Sequence, residues 1–260
     1  MNFNEVRNFV KNTPYITPTN GKELYDFIIA NKCNNILELG IAHGTASCYI
    51  AAALDEIKNG GGKLVCVDLL DAAPNFVPSI EEQITGLGLN KYVEIHRMKS
   101  GYNWFLHNEI KANSDNANNV CQPKYDLIII DGPKNWTIDS SSFYLADKLL
   151  KQNGWIIWDD YSWTYVNANK RRDTTDGIAH NSMANDEQNL AHIKEIFHLL
   201  VMQHPNYSNF IIKEEGDWVW AQKMQQETKT VHYTTSKSVA MVFIDLFGKI
   251  ASKLKRLIKQ

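Results

Sequence analysis

The side chains best suited to chemistry are three aspartates at the ends of two apolar runs. Tyr125-Asp126-Leu127-Ile128-Ile129-Ile130 leads into Asp131-Gly132-Pro133-Lys134, and Gly154-Trp155-Ile156-Ile157-Trp158 leads into Asp159-Asp160. In a parallel sheet, ligands gather at the carboxyl ends of strands, which brings such acids together. Converging carboxylates repel unless they are protonated, hydrogen-bonded or bound to a cation, and hard oxygen ligands suit Mg²⁺, Mn²⁺ or Ca²⁺. Mg²⁺ is the first choice. The plainer reading is that Asp159 and Asp160 only end a strand and open a turn.

A second cluster lies upstream, where Ile36-Leu37-Glu38-Leu39 runs into Gly40-Ile41-Ala42-His43-Gly44. Gly40 permits a sharp turn, and Gly44 permits backbone to approach a ligand, because neither carries a Cβ. Dinucleotide loops use G-x-G-x-x-G and seat a pyrophosphate, whereas this loop is G-x-x-x-G preceded by Glu38. A glutamate there repels pyrophosphate and attracts the sulfonium and ammonium groups of S-adenosylmethionine.

On Glu38, Leu39, Gly40 and Gly44 the chain resembles class I S-adenosylmethionine-dependent methyltransferases, whose first motif is E-L-G-x-x-x-G. Asp131 with Asp159-Asp160 looks like the metal site of the Methyltransf_24-like O-methyltransferases, similar to catechol O-methyltransferase and bacterial sugar O-methyltransferases, over roughly Ile16 to Trp163. The resemblance implies that Asp68, closing Val65-Cys66-Val67-Asp68, binds the ribose hydroxyls of the cofactor. It implies that Ser100 contacts adenine with Met98 packing nearby, and that Asp131 borders the cofactor while sharing the metal with Asp159 and Asp160. Lys134, three residues after Asp131, matches the general base of catechol O-methyltransferases. Burial near a metal would favour its neutral amine; the other reading is a solvated loop lysine. One departure is Ala46, where metal-dependent members often hold the methionine carboxylate with serine, leaving Thr45, Ser47 or helix-start amides as substitutes. Trp136, Tyr161, Trp163 and Tyr165 either wall an acceptor pocket or pack in the core, while His180 and His192 read as polar surface.

The elements that must position these residues follow from periodicity. Continuous apolar runs predict strands at Asn35–Leu39, Lys63–Val67, Tyr92–Arg97, Tyr125–Ile130 and Gly154–Trp158, and two more at Asn209–Lys213 and Asp217–Gln222 form an antiparallel hairpin. Helices are expected over Gly21–Asn31, Thr45–Lys58, Ile80–Gly86, Ser140–Lys151 and Asp186–Gln203, with a surface loop over Asn113–Pro123. The expected fold is α/β, a doubly wound, mostly parallel, Rossmann-like seven-stranded sheet. The segment Ala168–Asn185 reads either as a functional lid or as a disordered loop.

The division expected is one methyltransferase domain over residues 1–225, then a linker and an amphipathic helix within 226–260. In that tail Val239, Val242, Phe243, Leu246, Phe247, Ile250, Leu254, Leu257 and Ile258 recur at helical spacing, with Lys249, Lys253, Lys255, Arg256 and Lys259 beside them. The pattern suits an anionic membrane surface, as at the inner membrane face, and equally suits packing on protein or self-association. A net charge of −2 over 260 residues gives no general attraction to nucleic acid. Cys33, Cys48, Cys66 and Cys121 form no CxxC pair, and reduced thiols in a cytoplasmic protein are expected, with Cys48 and Cys66 in the core. The function expected is methylation of a small-molecule hydroxyl, on a sugar or envelope-saccharide precursor. The alternatives are a metal-independent methyltransferase and a non-catalytic cofactor-binding protein.

Overall fold

Apolar strands that must bury both faces require helices above and below the sheet, and the computed structural model has this arrangement. It describes residues 1–57, 61–115, 117, 119–168, 172 and 174–224. The expected amphipathic helix within 226–260 lies outside the described residues. Strands β1 (Asn35–Leu39), β2 (Lys63–Leu69), β3 (Val93–Met98), β4 (Tyr125–Ile130), β5 (Leu150–Trp158), β6 (Tyr207–Lys213) and β7 (Trp218–Lys223) form one sheet, ordered β3-β2-β1-β4-β5-β7-β6. The first five run parallel. Strand β7 lies antiparallel between β5 and β6, so the expected hairpin extends the sheet at its edge.

The helices are α1 (Phe3–Val10), α2 (Pro18–Asn31), α3 (Thr45–Ile57), α4 (Ile80–Leu87), α5 (Tyr102–Ala112), α6 (Trp136–Leu149), α7 (Asn185–Asn189) and α8 (His192–Ile196). Successive strand residues point to opposite faces, so Ile36 joins an apolar layer with α1 to α4 while Leu37 joins another with α5, α6 and α8. Cys48 and Cys66 are buried free thiols, as expected of core residues. Among the described residues no helix is long and apolar enough to cross a membrane.

Several elements differ from the sequence expectation, among them α1, which that expectation lacks, and β5, which begins at Leu150 rather than Gly154. Helix α5 was not anticipated, although Tyr102, Phe105 and Leu106 are buried at helical spacing. Helix α6 starts at Trp136 because the Asn135 side chain accepts from the Thr137 and Ile138 amides and caps it there. The helix expected over Asp186–Gln203 is broken: Leu190 has ψ 135°, and His192 uses its ring for tertiary hydrogen bonds on the far side of the break. Within the loop expected over Asn113–Pro123, Ser114–Asp115 and Val120–Cys121 form a short antiparallel ladder.

Candidate active site

Strand β1 leads on through α3 to β2, on one side of it, whereas β4 leads through α6 to β5 on the other. Ligands bind at such a switch point because the loops diverge and leave a crevice. Gly40 occupies it with φ +98°, and a Cβ there would lie 1.9 Å from the Asp131 carbonyl oxygen. The glycine loop and the first acid are thus in backbone contact, an approach only glycine allows. The Asp131 amide donates to the Leu39 carbonyl at 2.8 Å, and the Gly40 amide donates to that of Val67 at 2.9 Å. The next turn is braced by Asp68, whose Oδ2 accepts from the Ile41 and Ala42 amides at 3.0 and 3.2 Å. Arg97 lies 3.8 Å from the same oxygen. Ser100 is exposed in the turn after β3, and Met98 packs partly buried nearby.

Glu38 is 2% exposed and accepts hydrogen bonds from the Ser47 hydroxyl and, at 3.1 Å, the Cys66 thiol. Burial pushes its carboxyl up to about 7 despite both donors. The Ser47 hydroxyl is therefore engaged, and Thr45 donates its own to the Pro14 carbonyl at 3.0 Å. Both hydroxyls proposed in place of a serine at Ala46 thus have protein partners. Ala46 lines a small recess with Tyr15, Ile16, Glu38, Asp131 and Asp159.

One carboxylate oxygen from each of Asp131, Asp159 and Asp160 lies within 4.8 Å of the others, so the three expected ligands do converge. Burial pushes the Asp131 carboxyl up to about 7, against the pull of Lys134. Burial and then the Asp131 and Asp160 charges push Asp159 well above the usual range. Such frustrated carboxylates, all hard oxygen donors, fit a divalent cation. Lys134 places its Nζ 3.3 Å from Asp131 and 3.0 Å from Asp160. Burial opposes its charge, yet the attraction of Asp131, Asp160 and Asp176 wins and holds Lys134 well above its ordinary value. The neutral amine was expected beside a bound metal; without a cation, the ammonium is the counter-charge of the cluster. The reading of Lys134 as a solvated loop residue is corrected, since its side chain is 16% exposed.

The loop carrying Lys134 is fixed by residues that sequence reasoning passed over. Buried Asp139 accepts from the Tyr102 hydroxyl and, at 2.7 Å, from the Asn135 amide. The Tyr165 hydroxyl donates to the Pro133 carbonyl. The Trp136 amide donates to His192 Nδ1 at 2.9 Å, and His192 Nε2 donates to the Glu187 carbonyl at 2.9 Å. His180 and His192 are each 1% exposed, so both are interior rather than polar surface. Tyr161 and Tyr165 are likewise core residues, while Trp136 and Trp163 keep part of their surface exposed. Ala42, Lys134, Asp160 and Asp176 have φ of +49°, +55°, +57° and +49°. Non-glycine residues adopt such angles rarely, and their gathering around one crevice marks a site whose geometry the fold imposes. Only Asp139 left a sequence signal, as an acid in the first turn of a helix.

A stability measurement reports on this burial. Glu38 and Asp139 are raised to about 7 and about 6, both first through burial. The folded state keeps protons that the unfolded state has released, so this stabilisation is full below about pH 4 and is lost as pH rises through about 6 to 7. The urea midpoint of cation-free protein is expected to fall between about pH 5 and 7, with a shallower slope in Glu38→Gln. A slope unaltered by the substitution would contradict the assignment to Glu38.

The strand order, the glycine loop at the switch point and the acids after β4 and β5 define the class I methyltransferase fold. Residues 37–161 match the Methyltransf_24 family model, described as a methyltransferase domain. The structure is similar to an O-methyltransferase from Bacillus cereus in complex with SAH, at 22% identity and TM-score 0.54, covering 85% of this chain and 90% of that one. It is also similar to an SAH-bound methyltransferase from Podospora anserina, at 14% identity and TM-score 0.58, covering 86% and 88%. A putative caffeoyl-CoA O-methyltransferase from Staphylococcus aureus is similar at 17% identity and TM-score 0.57, covering 86% and 92%. Comparison of the sequence with curated proteins gives no match.

Proposed function

We propose that this methyltransferase domain transfers the methyl group of S-adenosylmethionine to a hydroxyl oxygen of a small molecule, with a divalent cation, Mg²⁺ first, held by Asp131, Asp159 and Asp160. The observation that carries this reading is the convergence of those carboxylates beside Lys134, in backbone contact with the glycine loop. In this reading Gly40 and Gly44 let the loop approach the cofactor, Glu38 faces its sulfonium and ammonium side, and Asp68 accepts from its ribose. Ser100 lies at the adenine end. With the Thr45 and Ser47 hydroxyls engaged, the free amides of the first turn of α3 are left to hold the methionine carboxylate.

A bound cation supplies Lewis acidity, lowering the pKa of an acceptor hydroxyl and fixing its oxygen. Lys134 is the basic side chain paired with Asp131 and Asp160, placed to orient the acceptor oxygen and, in its deprotonated form, to receive its proton. Trp136, two residues beyond Lys134, offers a partly exposed flat face suited to a sugar or aromatic ring. Radiolabelled methyl transfer to a panel of sugars and phenols tests the reading, and EDTA is expected to lower turnover about 100-fold, with recovery on adding Mg²⁺. Turnover indifferent to the chelator would leave a methyltransferase but remove the cation. That second reading has one observation behind it, the Lys134 ammonium already pairing with the cluster.

A further inference from the structure

Lys134 pairs with three carboxylates, and one of them stands outside the cation-ligand set. Its Nζ lies 3.3 Å from Asp131 and 3.0 Å from Asp160, within that set, and 3.9 Å from Asp176, beyond it. Asp176 is carried on a tight turn in which Thr175 and Ile178 exchange backbone hydrogen bonds at 2.9 and 2.8 Å. The next residue, Gly177, lies over Leu69, beside Asp68. The turn is tied to the Lys134 loop from behind. The Thr175 hydroxyl is 3.2 Å from His180 Nδ1, the His180 ring stacks on Tyr165, and the Tyr165 hydroxyl donates to the Pro133 carbonyl. Asp176 and Lys134 therefore face each other across one connected unit.

A divalent cation and an ammonium compete for the same oxygens of Asp131 and Asp160. An ammonium left without counter-charge in an enclosed site is costly, and Asp176 is the remaining carboxylate within its reach. We propose that Asp176 is a positioning residue for Lys134: it takes over the ammonium when a cation occupies Asp131, Asp159 and Asp160, and so keeps the lysine at the mouth of the site. The proposal rests on the cation reading above. The cluster then exchanges its internal cation for an external one, and Asp176 decides how readily it does so.

Mn²⁺ binding to the full chain, followed by electron paramagnetic resonance without any acceptor, tests this. Asp176→Asn suits the experiment because asparagine tolerates the φ of +49° and the side chain is half exposed. Thermal melting and S-adenosylhomocysteine binding confirm folding, and Asp176→Ser repeats the measurement. Lys134→Gln, which removes the competing ammonium, is expected to bind Mn²⁺ about tenfold tighter than wild type, and Asp176→Asn about tenfold weaker. In the Lys134→Gln background, Asp176→Asn should change affinity by less than about twofold, because its effect runs through the lysine. Equal weakening in both backgrounds would overturn the proposal, since Asp176 would then act by its own charge, and so would an unchanged affinity in Asp176→Asn. Failure of the wild type to bind Mn²⁺ would instead sink the cation reading itself.

Discussion

Replacing Lys134 with methionine lowers kcat about 1,000-fold, the expected result if the lysine handles the acceptor proton, while S-adenosylhomocysteine binds as before. The separation is expected because Lys134 is paired with carboxylates of the acceptor side, whereas the contacts assigned to the cofactor come from the glycine loop and Asp68. Methionine keeps the length and the apolar stem but removes both the charge and the exchangeable proton. Its backbone strain is no greater than that of lysine, since both are non-glycine residues at φ +55°. Lys134→Arg distinguishes the two lost properties. Arginine keeps the positive charge yet stays protonated, so it should rescue the ion pairs and not the turnover. Full turnover in Lys134→Met would remove the lysine from the reaction, and full turnover in Lys134→Arg would reduce its role to charge.

Substituting Gly40 with alanine is expected to destabilise the chain by about 4 kcal/mol and abolish cofactor binding. Two costs add: a left-handed φ of +98°, and a Cβ 1.9 Å from the Asp131 carbonyl oxygen, a backbone atom fixed by the sheet. The clash can be relieved only by moving the glycine loop or the end of β4, and either motion separates the cofactor loop from the acids. Gly101→Ala is the control, because Gly101 has φ +86° with nothing within 4 Å of an added Cβ. It should cost about 1 kcal/mol from backbone strain alone. Denaturant unfolding and S-adenosylhomocysteine titration read both effects. Equal losses in the two variants would show that the contact between Gly40 and Asp131 contributes nothing beyond strain.

The acids were legible because each ends an apolar run, and a run of four or five apolar residues between turn signals is a strand wherever the chain packs two layers of helix on a sheet. Asp131, Asp159 and Asp160 needed only the rule that ligands gather at strand ends. Helix α6 shows how local chemistry shifts a boundary: the apolar pattern suggested Ser140, while the Asn135 cap starts the helix at Trp136. Asp176, His180 and His192 were illegible for a different reason. A polar residue among polar neighbours carries no periodic signal, and its burial arises only when distant segments meet, as when His192 receives the Trp136 amide.

The sequence by itself determined the sheet, the glycine loop and the three carboxylates, because strand periodicity and turn chemistry are local properties. Tertiary structure decided what those carboxylates face. It placed the Lys134 ammonium among them, gave the Thr45 and Ser47 hydroxyls other partners, and brought Asp176 across the chain to the same nitrogen. Electrostatic balance in a buried site depends on distances between groups far apart in sequence, and only folding sets those distances.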